Sequence, residues 1–112
     1  MLFRSAAHRE VTEETGLTSV EQRLCGVIMI DARGVAGIGL FVFVGETEDD
    51  ELSVSAEGIP AWIPLDRLSD YDLVEDLTFL IPRALKAHAA NEVFFATYSY
   101  DSNNNLIISS PQ

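Results

Sequence analysis

Few basic residues, a single cysteine and no long apolar run set the first limits on this sequence. Only 7 residues are Lys or Arg against 18 Asp or Glu, and no basic cluster occurs, which excludes a basic face for polymeric DNA or RNA. The one cysteine, Cys25, excludes an internal disulfide and favours a reduced, cytoplasmic setting. No apolar run approaches membrane-spanning length, and residues 1–9 lack the apolar core of a signal peptide.

The sequence also lacks internal repeats, low-complexity tracts and linkers, so we expect one domain over residues 1–112. Hydrophobic residues make up 47% of the chain and aromatic residues 9%, which is enough to build a core and argues against disorder. The formal net charge of −11 repels phosphates. A bound metal ion neutralises phosphate locally, however, so a small phosphorylated ligand remains compatible with this composition.

Three carboxylates, those of Glu10, Glu13 and Glu14, lie close together near the end of a segment that patterns as a helix. On a helical wheel they share a sector with apolar residues of the preceding turns, which predicts an inner face, while His8 and Thr12 fall on a polar outer face. Clustered inward carboxylates need cationic compensation, most simply a divalent metal held through oxygen. The alternative is that they are ordinary helix formers on solvent-facing turns.

The wider string around these acids is more specific than the acids alone. Arg9 precedes the first of them, Gly16 stands where a left-handed helix end is needed, and Leu17 follows. Residues 9–17 thereby resemble the second half of the Nudix box, whose pattern is Arg-Glu-apolar-any-Glu-Glu-any-Gly-apolar, and every fixed position is met. The chain is therefore similar to Nudix hydrolases.

The resemblance implies an α+β fold, a Nudix-type α/β/α sandwich with a mixed sheet that lacks its N-terminal strands in this chain. Counting back from Arg9 puts the first Glu of the box on Met1, so the glycine loop and strands that precede it in the family are absent, a stretch of roughly 40 residues. A sheet without those strands exposes an edge and part of its core. We therefore expect a homodimer or strand exchange that covers it.

The rest of the chain alternates between strand and helix patterns. β-branched and aromatic residues predict adjacent strands at 23–30 and 37–44, joined by a turn at 31–34 and followed by a solvated acidic loop at 45–51. A short strand at 61–63 and a helical turn at 65–68 come next. A helix is predicted from 74 to about 90, with Pro82 either kinking it or marking its true start. The last predicted element is a hairpin of residues 92–100 and 106–109.

Two further segments extend the resemblance. Glu57 occupies the place of an acid that, in Nudix enzymes, returns toward the metal cluster some positions before a Trp. An ordinary solvated loop acid is an equal alternative for Glu57. We expect Trp62 to be buried against the sheet rather than to contact a ligand.

From residue 71 onward the chain is similar to the MutT-like branch that hydrolyses oxidised purine nucleoside triphosphates. Glu75 and Asp76 match an acid pair that faces the base in that branch, although Val74 replaces the proline most often seen before it. Acids in the first turn of a helix also complement its dipole and cap its amides. We favour capping for Glu75 and leave Asp76 open between capping and substrate binding.

The resemblance implies Mg²⁺-dependent hydrolysis of a nucleoside triphosphate, such as 8-oxo-dGTP, to a monophosphate and pyrophosphate, with Mn²⁺ as an alternative ion. The implied ligands are the carboxylates of Glu10, Glu13, Glu14 and Glu57, and Arg9 is expected to orient Glu10. Two other hypotheses stay open. One is an impaired Nudix-like domain that binds a nucleotide or a protein partner without turnover. The other is a purely structural α+β domain whose acids are surface residues.

Overall fold

A computed structural model describes residues 2–31, 37–48, 51–56 and 58–110. In chain order, its elements are α1 (Leu2–Thr15), β1 (Glu21–Ile30), β2 (Ile38–Glu46), a 3₁₀ helix (Leu65–Asp70), α2 (Leu77–Ala90), β3 (Phe94–Tyr100) and β4 (Leu106–Ser109). None of the helices in these ranges is long and apolar enough to cross a membrane. The expected turn at 31–34 falls mostly on residues outside the described ranges, as do Asp49 and Asp50 of the acidic loop.

The chain divides into two compact units. The first unit holds Met1–Arg23 and Gly45–Leu73, and the second holds Leu24–Val44 and Val74–Gln112. One domain over residues 1–112 therefore stays a prediction. The candidate metal ligands belong to the first unit, whereas Glu75 and Asp76 belong to the second.

The four strands form one mixed sheet in the order β2-β1-β3-β4. β1 runs parallel to β3, with Gly26 opposite Phe94 and Ile30 opposite Tyr98, and β3 runs antiparallel to β4, with Tyr98 opposite Ile108. The parallel pair requires a crossover, and α2 lies within it. The predicted α+β class with a mixed sheet is confirmed, and so are the two adjacent strands and the final hairpin.

The hairpin closes because its turn satisfies its own backbone. The Asp101 carboxylate accepts hydrogen bonds from the backbone N–H groups of Asn103 and Asn105, both at 2.9 Å. Asn104 adopts a φ of 64°, a left-handed conformation that asparagine tolerates better than most residues. These bonds also hold the pKa of the Asp101 carboxyl below its usual range. The local sequence therefore fixes the β3 to β4 connection.

The core of the second unit lies between the sheet and α2. Phe94, Ala96 and Tyr98 alternate along β3 as buried residues, while the residues between them are exposed. The ring of Phe79 meets that of Phe94 edge-on at 6.3 Å, and the guanidinium of Arg83 lies 5.0 Å from the centre of the same ring. The buried residues of this core are Cys25, Ile28, Ala84, Ala87, Phe94, Ala96 and Tyr98.

α2 begins later than predicted, and it excludes one of the two roles considered for its proline. It begins at Leu77 rather than at residue 74, and it continues through Pro82, so the proline does not mark its start. At the other end Asn91 adopts a left-handed φ of 56°, and its backbone N–H donates to the carbonyls of Ala87 and His88. This cap explains why the helix stops where it does.

The opposite face of the sheet in the second unit carries exposed apolar side chains. Phe95 of β3 is 53% exposed, and Met29 and Ile107, which the strand register puts on the same face, are 50% and 44% exposed. Such a face is typical of a surface that another element or partner covers. The homodimer or strand exchange stays a prediction.

In the first unit, two expectations around Trp62 are wrong. Residues 61–63 form no strand, because Pro60 and Pro64 supply no backbone N–H and leave too short a segment to pair. The Trp62 side chain is 56% exposed rather than buried. The helical turn predicted at 65–68 is confirmed as the 3₁₀ helix Leu65–Asp70.

Candidate functional site

The predicted ligands Glu10, Glu13 and Glu14 lie on the last two turns of α1, and all three are exposed. The inward-facing acidic stripe is therefore wrong. The half-buried positions of these turns include Val11 and Thr15, which are four residues apart. Carboxylates stay hydrated unless a cation compensates them, so the helix turns its neutral side chains inward instead.

Arg9 pairs with a different acid from the one expected. Its Nε lies 3.9 Å from Oε1 of Glu13, one helical turn away, and the two side chains are 68% and 66% exposed. Such an exposed pair contributes little to stability. The expected Arg9 to Glu10 contact is replaced by this ion pair, which neutralises part of the cluster from within the helix.

The end of α1 has the geometry that its sequence predicts. Gly16 adopts a φ of +80°, in the left-handed region that favours glycine, and its N–H donates to the Thr12 carbonyl at 2.9 Å. A Cβ built on Gly16 would lie 2.6 Å from Oγ of Ser53, whose backbone N–H donates to the Thr15 carbonyl at 2.8 Å. Glycine is thus required both for the turn and for the close approach of the segment at Ser53.

Two threonines complete this helix end. Thr12 Oγ1 donates to the Leu17 carbonyl at 2.8 Å, and Thr15 Oγ1 accepts from the Leu17 N–H at 3.2 Å. Leu17 itself is buried. The two variable positions of the string therefore carry hydroxyls that fold the chain back over the helix.

Glu14 borders an open recess of about 240 Å³, lined also by Ser55, Gly58 and Ile59. Ser55 and Gly58 exchange backbone hydrogen bonds of 3.1 and 3.2 Å, which hold these two residues together beside the recess. Glu57 lies outside the described residues, so its role as a ligand stays a prediction. Ser55, two residues before it, and Gly58, which follows it, line the same recess as Glu14.

A larger open recess of about 830 Å³ lies elsewhere in the first unit. Trp62 lines it together with the carboxylate-bearing residues Glu21, Glu46 and Glu48. Sequence reasoning missed it because Trp62 was expected in the core. No sequence pattern indicates that the indole of Trp62 is exposed, so the sequence alone does not reveal this recess.

Glu75 and Asp76 lie immediately before α2. Asp76, not Glu75, holds the N-cap position, and its side chain makes no capping hydrogen bond. Its Oδ2 instead accepts a hydrogen bond from the Tyr98 hydroxyl at 3.2 Å. Burial, followed by the charge of Asp76, raises the pKa of Tyr98 from 10.0 to about 12. Sequence reasoning missed Tyr98, although its place on the buried face of β3 means that its hydroxyl needs a partner.

The described residues do not assemble a metal centre. Within residues 2–31, 37–48, 51–56 and 58–110, no group of three or more His, Cys, Asp or Glu side chains could hold a metal ion. The two histidines do not alter this. His8 is exposed, with Nε2 3.0 Å from the Thr18 carbonyl, and His88 lies in the last turn of α2.

The chain resembles a known protein in its fold. No protein-family model matches it, and no curated protein does. Among solved structures it is similar to the Mutator MutT protein from Bacillus halodurans, with a TM-score of 0.65 and 21% sequence identity over 89% of this chain and 67% of that one. The chain therefore has a MutT-like α+β fold.

Proposed function

We propose that this chain is a MutT-like hydrolase that converts a nucleoside triphosphate and water to a nucleoside monophosphate and pyrophosphate. One observation carries the proposal: the Arg9 to Leu17 string lies on the last turns of α1 and ends at a left-handed Gly16, in a chain whose fold is similar to that of MutT. Gly16 supports the assignment because its left-handed conformation and the lack of room for a Cβ beside Ser53 give the fixed glycine of the string a physical reason.

The proposal includes dependence on Mg²⁺, or on Mn²⁺ in its place. Carboxylate oxygens are the donors that such hard cations prefer, and Glu10 and Glu14 are four residues apart on one side of a helix. The arrangement itself does not fit a bound ion, because the three side chains are exposed and the described residues hold no group of three donors. In the proposed reaction, water cleaves one phosphoanhydride bond.

The proposed substrate is a purine nucleoside triphosphate, including oxidised forms such as 8-oxo-dGTP. Asp76, with Glu75 beside it, is the proposed contact for the base, since Asp76 is half-buried and is not used as a helix cap. The formal charge of −11 disfavours an uncompensated triphosphate, so a cation that accompanies the nucleotide fits the charge balance. We expect a cytoplasmic setting, where such nucleotides occur and a buried thiol such as Cys25 stays reduced.

A second candidate is a nucleotide-binding domain without turnover. The exposure of Glu10, Glu13 and Glu14 favours it, because three hydrated carboxylates on a helix surface are also what a domain without a metal centre would present. Both candidates share the nucleotide and differ only in catalysis.

The test is pyrophosphate release in the presence of Mg²⁺ from a panel of nucleoside triphosphates. We expect Glu13→Gln and Glu14→Gln each to lower kcat/KM by roughly 100-fold or more, since charge stabilisation by a metal ion is worth several kcal/mol. Glu92→Gln, at an exposed glutamate beyond α2, is the matched control and should leave the rate unchanged.

Three outcomes would decide between the candidates. Unchanged rates in Glu13→Gln and Glu14→Gln would remove the site assignment. Nucleotide binding by the wild-type chain without any pyrophosphate release would favour the second candidate. An absence of saturable Mg²⁺ or Mn²⁺ uptake, with and without nucleotide, would end the proposal of a metal-dependent hydrolase.

A further inference from the structure

The two outer strands of the sheet differ in length and in exposure. Among the described strands, β2 and β4 are the outermost. β4 has only four residues, and its exposure alternates from one residue to the next, as expected for a strand with one covered face. β2 has nine residues, and none of them is buried. A short edge strand presents few backbone groups for further pairing, whereas a long one presents many.

The sequence of β2 is that of a central strand rather than an edge strand. From Ile38 to Val44 it reads IGLFVFV, without a charged, polar or proline residue. Side chains alternate between the two faces of a strand, so Ile38 and Leu40 lie on one face and Phe41 on the other. These three residues are 55%, 37% and 40% exposed. Near-continuous apolar runs are typical of strands covered on both faces, and natural edge strands usually carry charges or proline against further pairing.

We propose that the outer edge of β2 pairs antiparallel with β2 of a second copy of this chain. The pairing joins the two four-stranded sheets into one continuous sheet. Each β2 then lies in the interior of the joined sheet, which is the position that its sequence fits. This pairing does not depend on the proposed hydrolysis.

A second copy of β2 is the partner that this edge matches by its own geometry. In an antiparallel pair, opposite residues exchange N–H and C=O groups, so two identical strands related by a two-fold axis satisfy each other. The two-fold arrangement uses up both β2 edges and closes at a dimer. A partner of different sequence would need an exposed strand of its own.

The distribution of charge favours the same partner. The formal net charge of −11 makes two copies repel each other over most of their surfaces. Residues 38–45 include no charged side chain, so two copies can meet along this strand without a direct contact between like charges. A basic partner protein would instead be attracted by the exposed acids elsewhere on the chain, such as Glu10 and Glu14.

The exposed face of the sheet is the competing surface for a dimer. It carries Met29, Phe95 and Ile107. The strand register puts Met29 opposite Thr97, and Thr97 opposite Ser109, so hydroxyl groups interrupt the apolar surface of this face. The run from Ile38 to Val44 has no such interruption. The two surfaces are separate enough for single substitutions to tell them apart.

The first experiment measures the monomer–dimer equilibrium of the full chain by analytical ultracentrifugation between about 1 μM and 100 μM. Leu40→Lys puts a charge in the middle of the β2 edge. Val54→Lys is the matched control, because it adds the same charge at a 72% exposed apolar residue of the first unit. Phe95→Lys adds it to the exposed face of the sheet.

We expect the wild-type chain to form a dimer within this range of concentration. Leu40→Lys should raise the dissociation constant of the dimer by at least roughly tenfold, because the added charge enters the contact once from each copy. Val54→Lys and Phe95→Lys should each keep the wild-type dissociation constant within about twofold.

Hydrogen exchange of the wild-type chain, followed by mass spectrometry, gives a second measurement that needs no variant. It compares the two outer strands within one molecule. The amides of Ile38–Glu46 should exchange more slowly at high concentration than at low concentration, since pairing protects those at the edge. The amides of Leu106–Ser109 should exchange at the same rate at both concentrations.

Several results would overturn the inference. These are a wild-type monomer throughout the range, assembly that continues beyond a dimer, or equal weakening by Leu40→Lys and Val54→Lys. Loss of the dimer in Phe95→Lys but not in Leu40→Lys would place the contact on the sheet face instead. Concentration-dependent protection of β4, or of neither outer strand, would also contradict the pairing.

Discussion

The two compact units of the chain are held together in different ways. The second unit buries a cluster of apolar side chains from β1, α2 and β3, with Phe94 fully enclosed. Among the described residues of the first unit, only Leu17 and Gln22 are buried. There, hydrogen bonds that Thr12 and Ser53 donate and that the Thr15 hydroxyl accepts shape the end of α1.

The buried core and the candidate metal ligands therefore lie in different units. Burial of apolar surface is the main stabilising contribution in a folded protein, so the second unit should carry most of the free energy of unfolding. The candidate metal ligands lie instead on exposed turns, where substitution changes few packing contacts. We therefore expect variants of the two units to separate into those that change stability and those that change activity.

The largest expected effect is in the second unit. Phe94→Ala should lower the free energy of unfolding by about 3–5 kcal/mol, because it removes a fully buried ring and leaves a cavity. Phe95→Ala, at the next residue on the exposed face, is the matched control and should cost less than about 1 kcal/mol. Urea denaturation measures both. Similar losses at the two positions would break the comparison, since the second unit would then not depend on its buried face.

A smaller effect concerns pH and again lies in the second unit. Because the pKa of Tyr98 is raised from 10.0 to about 12, the folded chain keeps a proton that the unfolded chain loses above pH 10. Ionisation of Tyr98 should therefore lower the free energy of unfolding by up to about 3 kcal/mol between pH 10 and 12. Below pH 10 this group should not change the free energy of unfolding. Chemical denaturation at several pH values should show a shallower fall for Tyr98→Phe than for the wild type, and Tyr71→Phe, at an exposed tyrosine of the first unit, should keep the wild-type slope. Identical slopes in the wild type and Tyr98→Phe would contradict the assignment.

The smallest expected effect on stability is in the first unit. Arg9→Gln should change the free energy of unfolding by less than about 0.5 kcal/mol, because its ion pair with Glu13 is exposed. Arg67→Gln breaks the ion pair with Asp70 in the same unit and is a matched control for charge and exposure. Pyrophosphate release should fall in Arg9→Gln and not in Arg67→Gln. If both variants kept full activity, Arg9 would have no role in the reaction.

Sequence patterns predicted those parts of the fold that depend on local chemistry. The left-handed end of α1 follows from Gly16, and the last hairpin follows from a turn in which Asp101 and its asparagines satisfy the backbone. The strands were predicted from runs of β-branched and aromatic residues. Each of these features is decided within a few residues of sequence.

Features that depend on distant partners were missed. A helical wheel groups Glu10, Glu13 and Glu14 correctly but does not say which side faces inward, and the half-buried Val11 and Thr15 give the answer only in three dimensions. Tyr98 and Asp76 are too far apart in sequence for any local pattern to pair them. Large aromatic residues are usually well buried, so the residue type alone predicts a core position for Trp62, whereas its side chain is 56% exposed.

The parallel pairing of β1 with β3 has a consequence for how the chain is made. The backbone of residue 26 pairs on that side with residue 94, so a ribosome must synthesise β2 and α2 before the centre of the sheet can close. Until then the apolar β1 strand is open to contacts with other nascent chains. We expect its yield in cells to depend on growth temperature and on chaperones more strongly than its final stability would indicate.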